Sequence, residues 1–224
     1  MTDASDRPTV LIVDDHELFS CALVIALGTR GLRARQLTPG ELLARLDQPA
    51  PPGGLVLLDL DLGDNVDGAQ LVGPLRRAGW RILVITGTTD EPHIAAAVAA
   101  GAVGWVPKTA PFNELLAHAV RTAEGRSLLT DAQRQRMQEI ASGARQAAEE
   151  LEWRWQLLTP REREILDCLV GGLRAGTIAE KFTVSVATVR TQIRSILAKL
   201  EVSSQLEAVA LAKQRSRSSA AVRA

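Results

Sequence analysis

Only two of the 224 residues are cysteines, Cys21 and Cys168, and neither has a CxxC neighbour. A disulfide framework or a cysteine metal site therefore has no support. Both lie in apolar stretches of helical spacing, so buried, reduced thiols are expected. Long apolar runs are also missing. No window approaches ~18 uninterrupted apolar residues, and the first residues are polar and acidic rather than basic and then apolar. Neither a signal peptide nor a membrane span is read, which predicts a cytoplasmic protein without a membrane partner. The phosphate cradles GxGxxG and GxxxxGK[ST] do not occur, which leaves dinucleotide and P-loop chemistry without a binding loop. His16, His93 and His118 have no metal-spaced partner and are read as structural or solvent-facing.

Net charge is absent as well, but the zero conceals an asymmetry. Residues 1–127 carry 11 Lys+Arg against 15 Asp+Glu, whereas residues 158–224 carry 11 against 6. An acidic first half and a basic last third predict two modules with different partners, the basic one a candidate for nucleic acid.

The first module is organised around Leu55-Val56-Leu57-Leu58-Asp59. Four apolar residues bounded upstream by Pro51-Pro52-Gly53-Gly54 predict a strand buried on both faces, running straight into a carboxylate. Other strands are predicted at Val10–Val13, Arg33–Leu37, Arg81–Thr86 and Gly104–Val106. Between them lie helices at 18–27, 38–46, 68–78 (with Pro74 expected to kink or shorten it), 90–100 and 111–125. Five strand–helix alternations in about 125 residues predict a five-stranded parallel sheet with helices on both faces. Residues 131–157 read as one amphipathic connecting helix, with Met137, Ile140, Ala144, Leu151 and Trp155 at three- and four-residue steps. Trp153 and Trp155 are expected to dock on a domain or on a second chain.

In an open parallel sheet, ligands sit at the carboxyl ends of the strands. Asp14, Asp15 and Asp59 end two strands, Thr86 ends a third and Lys108 follows a fourth. Three acids in one crevice call for a hard cation such as Mg²⁺, and an ammonium there suits phosphate oxygens. The set fits phosphoryl transfer to a carboxylate. Taken singly, each residue has a plainer reading: Asp14 a helix cap, Thr86 a strand-end hydroxyl, Trp105 a core aromatic.

Val-Asp-Asp-His at 13–16, Leu-Leu-Asp-Leu at 57–60, Ile-Thr-Gly at 85–87 and Gly-Trp-Val-Pro-Lys at 104–108 resemble a response-regulator receiver domain over residues 8–127. The resemblance implies a flavodoxin-like fold with Asp59 as phosphoacceptor. It implies a Mg²⁺ site of Asp14 (through water), Asp15, Asp59 and the Asp61 carbonyl. Thr86 and Lys108 would contact the phosphoryl group, and Trp105 would be the switch aromatic. The pattern departs at Gly63, where proline is common, and in a loop enriched in acids, Asp61, Asp64 and Asp67. Asp61 is the runner-up acceptor.

The last third is predicted to be all helical. Thr159-Pro160-Arg161-Glu162 is a capping box with proline at the first helical position, and Ala175–Lys181, a turn at Thr183-Val184 and a longer helix from Ser185 to Leu200 follow in helix-turn-helix order. Arg190 and Arg194 share one face, opposite Val189, Ile193, Ile196, Leu197 and Leu200. Leu-Thr-Pro-Arg-Glu-Arg-Glu-Ile-Leu at 158–166, Ile-Ala-Glu-Lys-Phe at 178–182, Thr-Val-Arg-Thr-Gln-Ile at 188–193 and Leu-Glu-Ala-Val-Ala at 206–210 resemble the LuxR-type helix-turn-helix. That places base contacts at Arg190, Thr191 and Arg194, phosphate contacts near Thr188, Gln192 and Lys199, and dimer contacts at Leu206, Val209 and Ala210. Thr183 and Glu201 stand where glycine is common.

The expectation is therefore a receiver domain (8–127), a helical linker (128–157), a four-helix DNA-binding domain (158–214) and a disordered tail (215–224). Together they resemble a NarL/FixJ-class two-component response regulator. The resemblance implies a Mg²⁺-dependent, non-enzymatic transcription regulator that is phosphorylated by a histidine kinase. Acting as a homodimer, it would bind promoter DNA at inverted half-sites. Two rivals stand beside it: a regulator of the same fold that works without phosphate, and a phosphatase using Asp59-x-Asp61.

Overall fold

The computed structural model describes residues 8–45, 49–63 and 66–221. The chain divides into two compact units between Gly143 and Ala144.

The first unit alternates β1 (Thr9–Val13), α1 (Glu17–Thr29), β2 (Arg33–Gln36), α2 (Pro39–Leu43), β3 (Leu55–Leu58), α3 (Gly68–Arg77), β4 (Arg81–Thr86), α4 (Glu91–Ala100), β5 (Gly104–Pro107) and α5 (Phe112–Ala123). All strand pairings are parallel, in the order β2-β1-β3-β4-β5. This is the predicted flavodoxin-like arrangement. Leu55–Leu58 are buried without exception, as strands covered on both faces must be. Val56 and Leu58 pack toward α3 residues such as Val72 and Leu75, while Leu55 and Leu57 pack toward Leu23 of α1 and Leu115 of α5.

Several expectations need correction. Pro74 lies inside α3, which runs to Arg77 and so keeps nearly its full predicted length. Cys21 is exposed, because α1 is apolar nearly all round and leaves Leu18 and Ile25 on the solvent side with it. Leu46, the predicted end of α2, and Asp64 lie outside the described residues.

The connector is α6 (Asp131–Gln156), one helix as its periodicity predicts. It is not a separate linker. In the first unit, Met137 and Ile140 pack with Ala95 and Val98 of α4 and with Trp105 of β5. In the second unit, Leu151 and Trp155 enter the helical core. Trp155 is buried as expected, whereas Trp153 is 59% exposed.

The second unit contains that end of α6 with α7 (Pro160–Val170), α8 (Ala175–Phe182), α9 (Val186–Leu200) and α10 (Gln205–Ala221). Thr159 and Glu162 form the capping box reciprocally. Thr183 ends α8 and Glu201 ends α9 at φ 55° and 53°, the left-handed conformation that explains why glycine is common at both places. The helical backbone of α10 continues through 216–221, where disorder was expected from composition, and residues 222–224 lie outside the described residues. Among the described residues no helix is long and apolar enough to cross a membrane.

Candidate functional site

Parallel register assembles the acidic crevice. Val13 pairs with Leu58 and the Asp59 N–H donates to the Val13 carbonyl at 2.9 Å, so the carboxylates that follow β1 and β3 emerge side by side. On the other flank, Thr86 pairs with Pro107 and the Lys108 N–H donates to the Thr86 carbonyl, also at 2.9 Å. Four of the chain's strand ends thus deliver Asp14, Asp59, Thr86 and Lys108 to one edge, as the sequence predicts. A close approach fixes the floor. A Cβ on Gly68 would stand 2.0 Å from the Asp59 carbonyl oxygen, so α3 can begin against β3 only with glycine there.

Lys108 Nζ lies 2.6 Å from Asp59 Oδ2 and 2.8 Å from Asp14 Oδ2. Asp59 is 3% exposed, and burial holds its carboxyl above the usual range, with the Lys108 ammonium pulling the other way. Burial also opposes the charge on Lys108, but its hydrogen bonds to Asp14 and Asp59 outweigh that and raise its pKa. Among the described residues, Asp59 Oδ1 has only a long bond from the Asp61 N–H, at 3.3 Å, and the Asp59 carboxyl is therefore desolvated and incompletely hydrogen-bonded.

Asp14, Asp15, His16 and Asp59 each bring one ligand atom within 4.8 Å of the others. Three carboxylates in this set fit a hard divalent cation. His16 is solvent-facing as read, its side chain 68% exposed, while its Nδ1 lies 2.6 Å from Asp15 Oδ1 at the rim of the crevice. His93 is structural, as read. Its Nε2 is 2.8 Å from Asp67 Oδ1, tying α4 to the capping residue of α3. Thr86 is buried and its hydroxyl accepts from the Thr88 N–H at 3.2 Å. Asp61 is exposed, and Trp105 is half-buried between the sheet and α6.

In the second unit, α9 buries Val189, Ile193, Ile196 and Leu200 and leaves Thr188, Arg190, Thr191 and Arg194 exposed. Ser185 caps its N-terminus, accepting from the Thr188 N–H at 3.0 Å. The exposed face is polar and basic, suited to a groove of DNA. Gln192 is half-buried. Lys199 is a correction: its Nζ is 2.6 Å from Glu162 Oε2, which neutralises the charge a phosphate contact would need. Glu162 also accepts from Ser195 Oγ at 2.6 Å and from the Thr159 N–H at 2.7 Å. Burial opposes its charge, yet the bonds from Lys199, Ser195 and Thr159 prevail and lower its pKa to about 2. This network, which holds α9 on α7, went unread in the sequence because spacing alone does not pair residues across helices. On α10, Leu206 and Ala210 are exposed and Val209 is half-buried.

Residues 10–120 match the response regulator receiver domain family, and residues 156–212 match the luxR family of bacterial regulatory proteins. The response regulator protein VraR of Staphylococcus aureus is 26% identical over 210 residues, covering 92% of this chain and 96% of that one. The nitrate/nitrite response regulator protein NarL of Escherichia coli is 27% identical over 204 residues, covering 89% and 92%. Among solved structures, the response regulator ChrA of a heme-sensing two-component system is 30% identical with a TM-score of 0.46, covering 93% of this chain and 98% of that one.

Proposed function

The chain belongs to the NarL/FixJ class of two-component response regulators, which bind DNA and regulate transcription, and from that premise we propose that phosphorylation of Asp59 by a histidine kinase is its switch. The observation that carries the reading is Asp59 itself, buried at a strand end with Lys108 Nζ at 2.6 Å and one oxygen weakly held. In the transfer, an Asp59 oxygen forms a bond to phosphorus as the bond to the kinase's histidine nitrogen breaks, and the departing imidazole takes a proton from solvent. Lys108 is placed to follow the new phosphoryl oxygens, and the Thr86 hydroxyl at the neighbouring strand end to donate to them. Mg²⁺, where bound by Asp14, Asp15, Asp59 and the Asp61 carbonyl, supplies neutralisation of the phosphoryl charge.

Trp105 packs on the sheet and on Met137 and Ile140 of α6, so a shift at Thr86 and Trp105 reaches that helix directly. Biasing a two-state packing arrangement is how a local charge acts at a distance. The output is a homodimer that contacts inverted half-sites in promoter DNA through Arg190, Thr191 and Arg194, with Thr188 and Gln192 nearer phosphates. Leu206, Val209 and Ala210 of α10 form the dimer contact. Lys199 serves to position α9. The setting is the cytoplasm, where promoter DNA and kinase are both reached. The rival phosphatase fits less well, since its DxD motif belongs on a first strand and Asp59-x-Asp61 follows β3.

DNA-binding isotherms over a salt series test the output arm. Acetyl phosphate should tighten wild-type binding and leave Asp59→Asn unchanged. Arg194→Ala should weaken binding by roughly tenfold and lower the salt slope by about one. Isotherms that respond to neither change would refute the assignment.

A further inference from the structure

The second unit contains a cavity that neither the acidic crevice nor the DNA-facing helix uses. It has a volume of about 270 Å³ and lies where the end of α6 meets α7 and α10. Leu166 and Val170 of α7, with Ala212 of α10, form its apolar wall. An apolar cavity of about 150 Å³ admits benzene, so a one-ring ligand has room here. A second cavity, of about 240 Å³, shares Trp155 and Arg215 with the first, so space adjoins this indole in two directions.

The polar groups around it suit an acceptor. Trp155 is 5% exposed, and its indole N–H, which can only donate, has no partner among the described residues. A buried donor without an acceptor is costly and rare. Arg163, exposed on α7, donates a long 3.4 Å bond to the Trp155 carbonyl, which brings its guanidinium to the same residue. Arg215 lies over the indole ring, 5.0 Å from its centroid, and is held by an exposed ion pair to Glu152 at 2.9 Å. Such a pair is weak, so Arg215 is the side of the cavity that can swing to uncover the indole edge. Two guanidiniums and an unpaired donor beside an apolar wall are the chemistry that holds a carboxylate carrying an apolar body. A planar body suits it best, because a guanidinium that stacks on one aromatic face can stack on another. Asp167 lines the cavity as well and disfavours a second negative charge on the ligand.

We propose that this cavity binds a small aromatic monocarboxylate, whose carboxylate accepts from the Trp155 indole N–H and the Arg163 guanidinium while its ring packs on Leu166 and Val170. Arg215 closes over the bound molecule. The site stands apart from Asp59 and does not depend on the phosphorylation reading. Because α10 supplies one wall, occupancy gives the second unit a chemical input of its own.

The test uses the full-length protein, isotope-labelled for amide and indole N–H spectra, with benzoate as probe and neutral benzamide and inorganic phosphate as controls. Trp80, Trp105 and Trp153 serve as internal references. Trp155→Phe identifies the Trp155 resonance and removes the donor while keeping an aromatic ring. Arg163→Gln, at an exposed position, leaves the core intact. Benzoate should move the Trp155 indole resonance saturably at about millimolar concentrations, with the other three still. Its affinity should fall at least about fivefold in Arg163→Gln and in Trp155→Phe, read for the latter from the α7 amides. Benzamide and phosphate should bind at least about tenfold more weakly than benzoate. A Trp155 resonance that stays still with benzoate up to about 20 mM would overturn the site. Equal affinity for benzamide or for phosphate would overturn the proposed ligand class. Unchanged benzoate affinity in both variants would put the binding elsewhere and overturn the assignment.

Discussion

The two units each contain a buried carboxylate paired with a lysine at 2.6 Å, Asp59 with Lys108 and Glu162 with Lys199, yet the electrostatic outcome is opposite. Asp59 is held above the ordinary carboxylate range, and Glu162 is lowered to about 2. The lysine is common to both, so it is not what differs. Glu162 also accepts from Ser195 Oγ and from the backbone and hydroxyl of Thr159, which meets most of its hydrogen-bonding capacity. Among the described residues Asp59 has, beyond Lys108, one long backbone bond, and it shares its lysine with a second carboxylate, Asp14. A satisfied buried charge fixes one helix on another. An under-satisfied one retains oxygen atoms for a reaction or an ion.

Gly68→Ala should have the largest effect, because the added Cβ meets the Asp59 carbonyl at 2.0 Å and the backbone of the reactive residue must move. Loss of at least about 3 kcal/mol from the first unit is expected in urea unfolding, with no acquisition of phosphate from acetyl phosphate. Removing the two carboxylates sharpens the contrast. Glu162→Ala should cost about 2–3 kcal/mol, seen as faster amide exchange confined to α7 and α9, since it strips partners from Lys199, Ser195 and the cap. Asp59→Asn should change the first unit's stability by under about 1 kcal/mol or raise it, because it removes a desolvated charge. A comparable loss at both positions would erase the distinction.

Acid separates the second unit in a different way. Glu162 has a folded-state pKa of about 2 against an ordinary 4.5, so its contribution is complete above pH 4.5 and disappears as pH falls toward 2. Amide exchange of α9 should accelerate in that window for wild type, and Glu162→Gln should flatten the dependence. An equally steep acid response in Glu162→Gln would assign the effect to other groups.

Much of this was legible in advance. Leu55–Leu58 announced a doubly covered strand by composition, and the apolar spacing of α9 separated its buried face from Arg190 and Arg194. Strand-end placement gathers Asp14, Asp59, Thr86 and Lys108 from the amino-acid order alone. What escaped shares a physical cause, for partners chosen across elements leave no periodic trace. Lys199 carried the same charge whether it faced DNA or Glu162. Cys21 lay on a helix too uniformly apolar to declare an inward face. The regular spacing of α6 showed one helix and could not show that its halves join different cores.

The most direct test is the intact mass of the protein after incubation with Mg²⁺ and acetyl phosphate, wild type beside Asp59→Asn. The account predicts a gain of ~80 Da, one phosphoryl group replacing a proton, on wild type alone. An unmodified wild type, or an equal adduct on Asp59→Asn, would contradict the assignment of Asp59 as the switch.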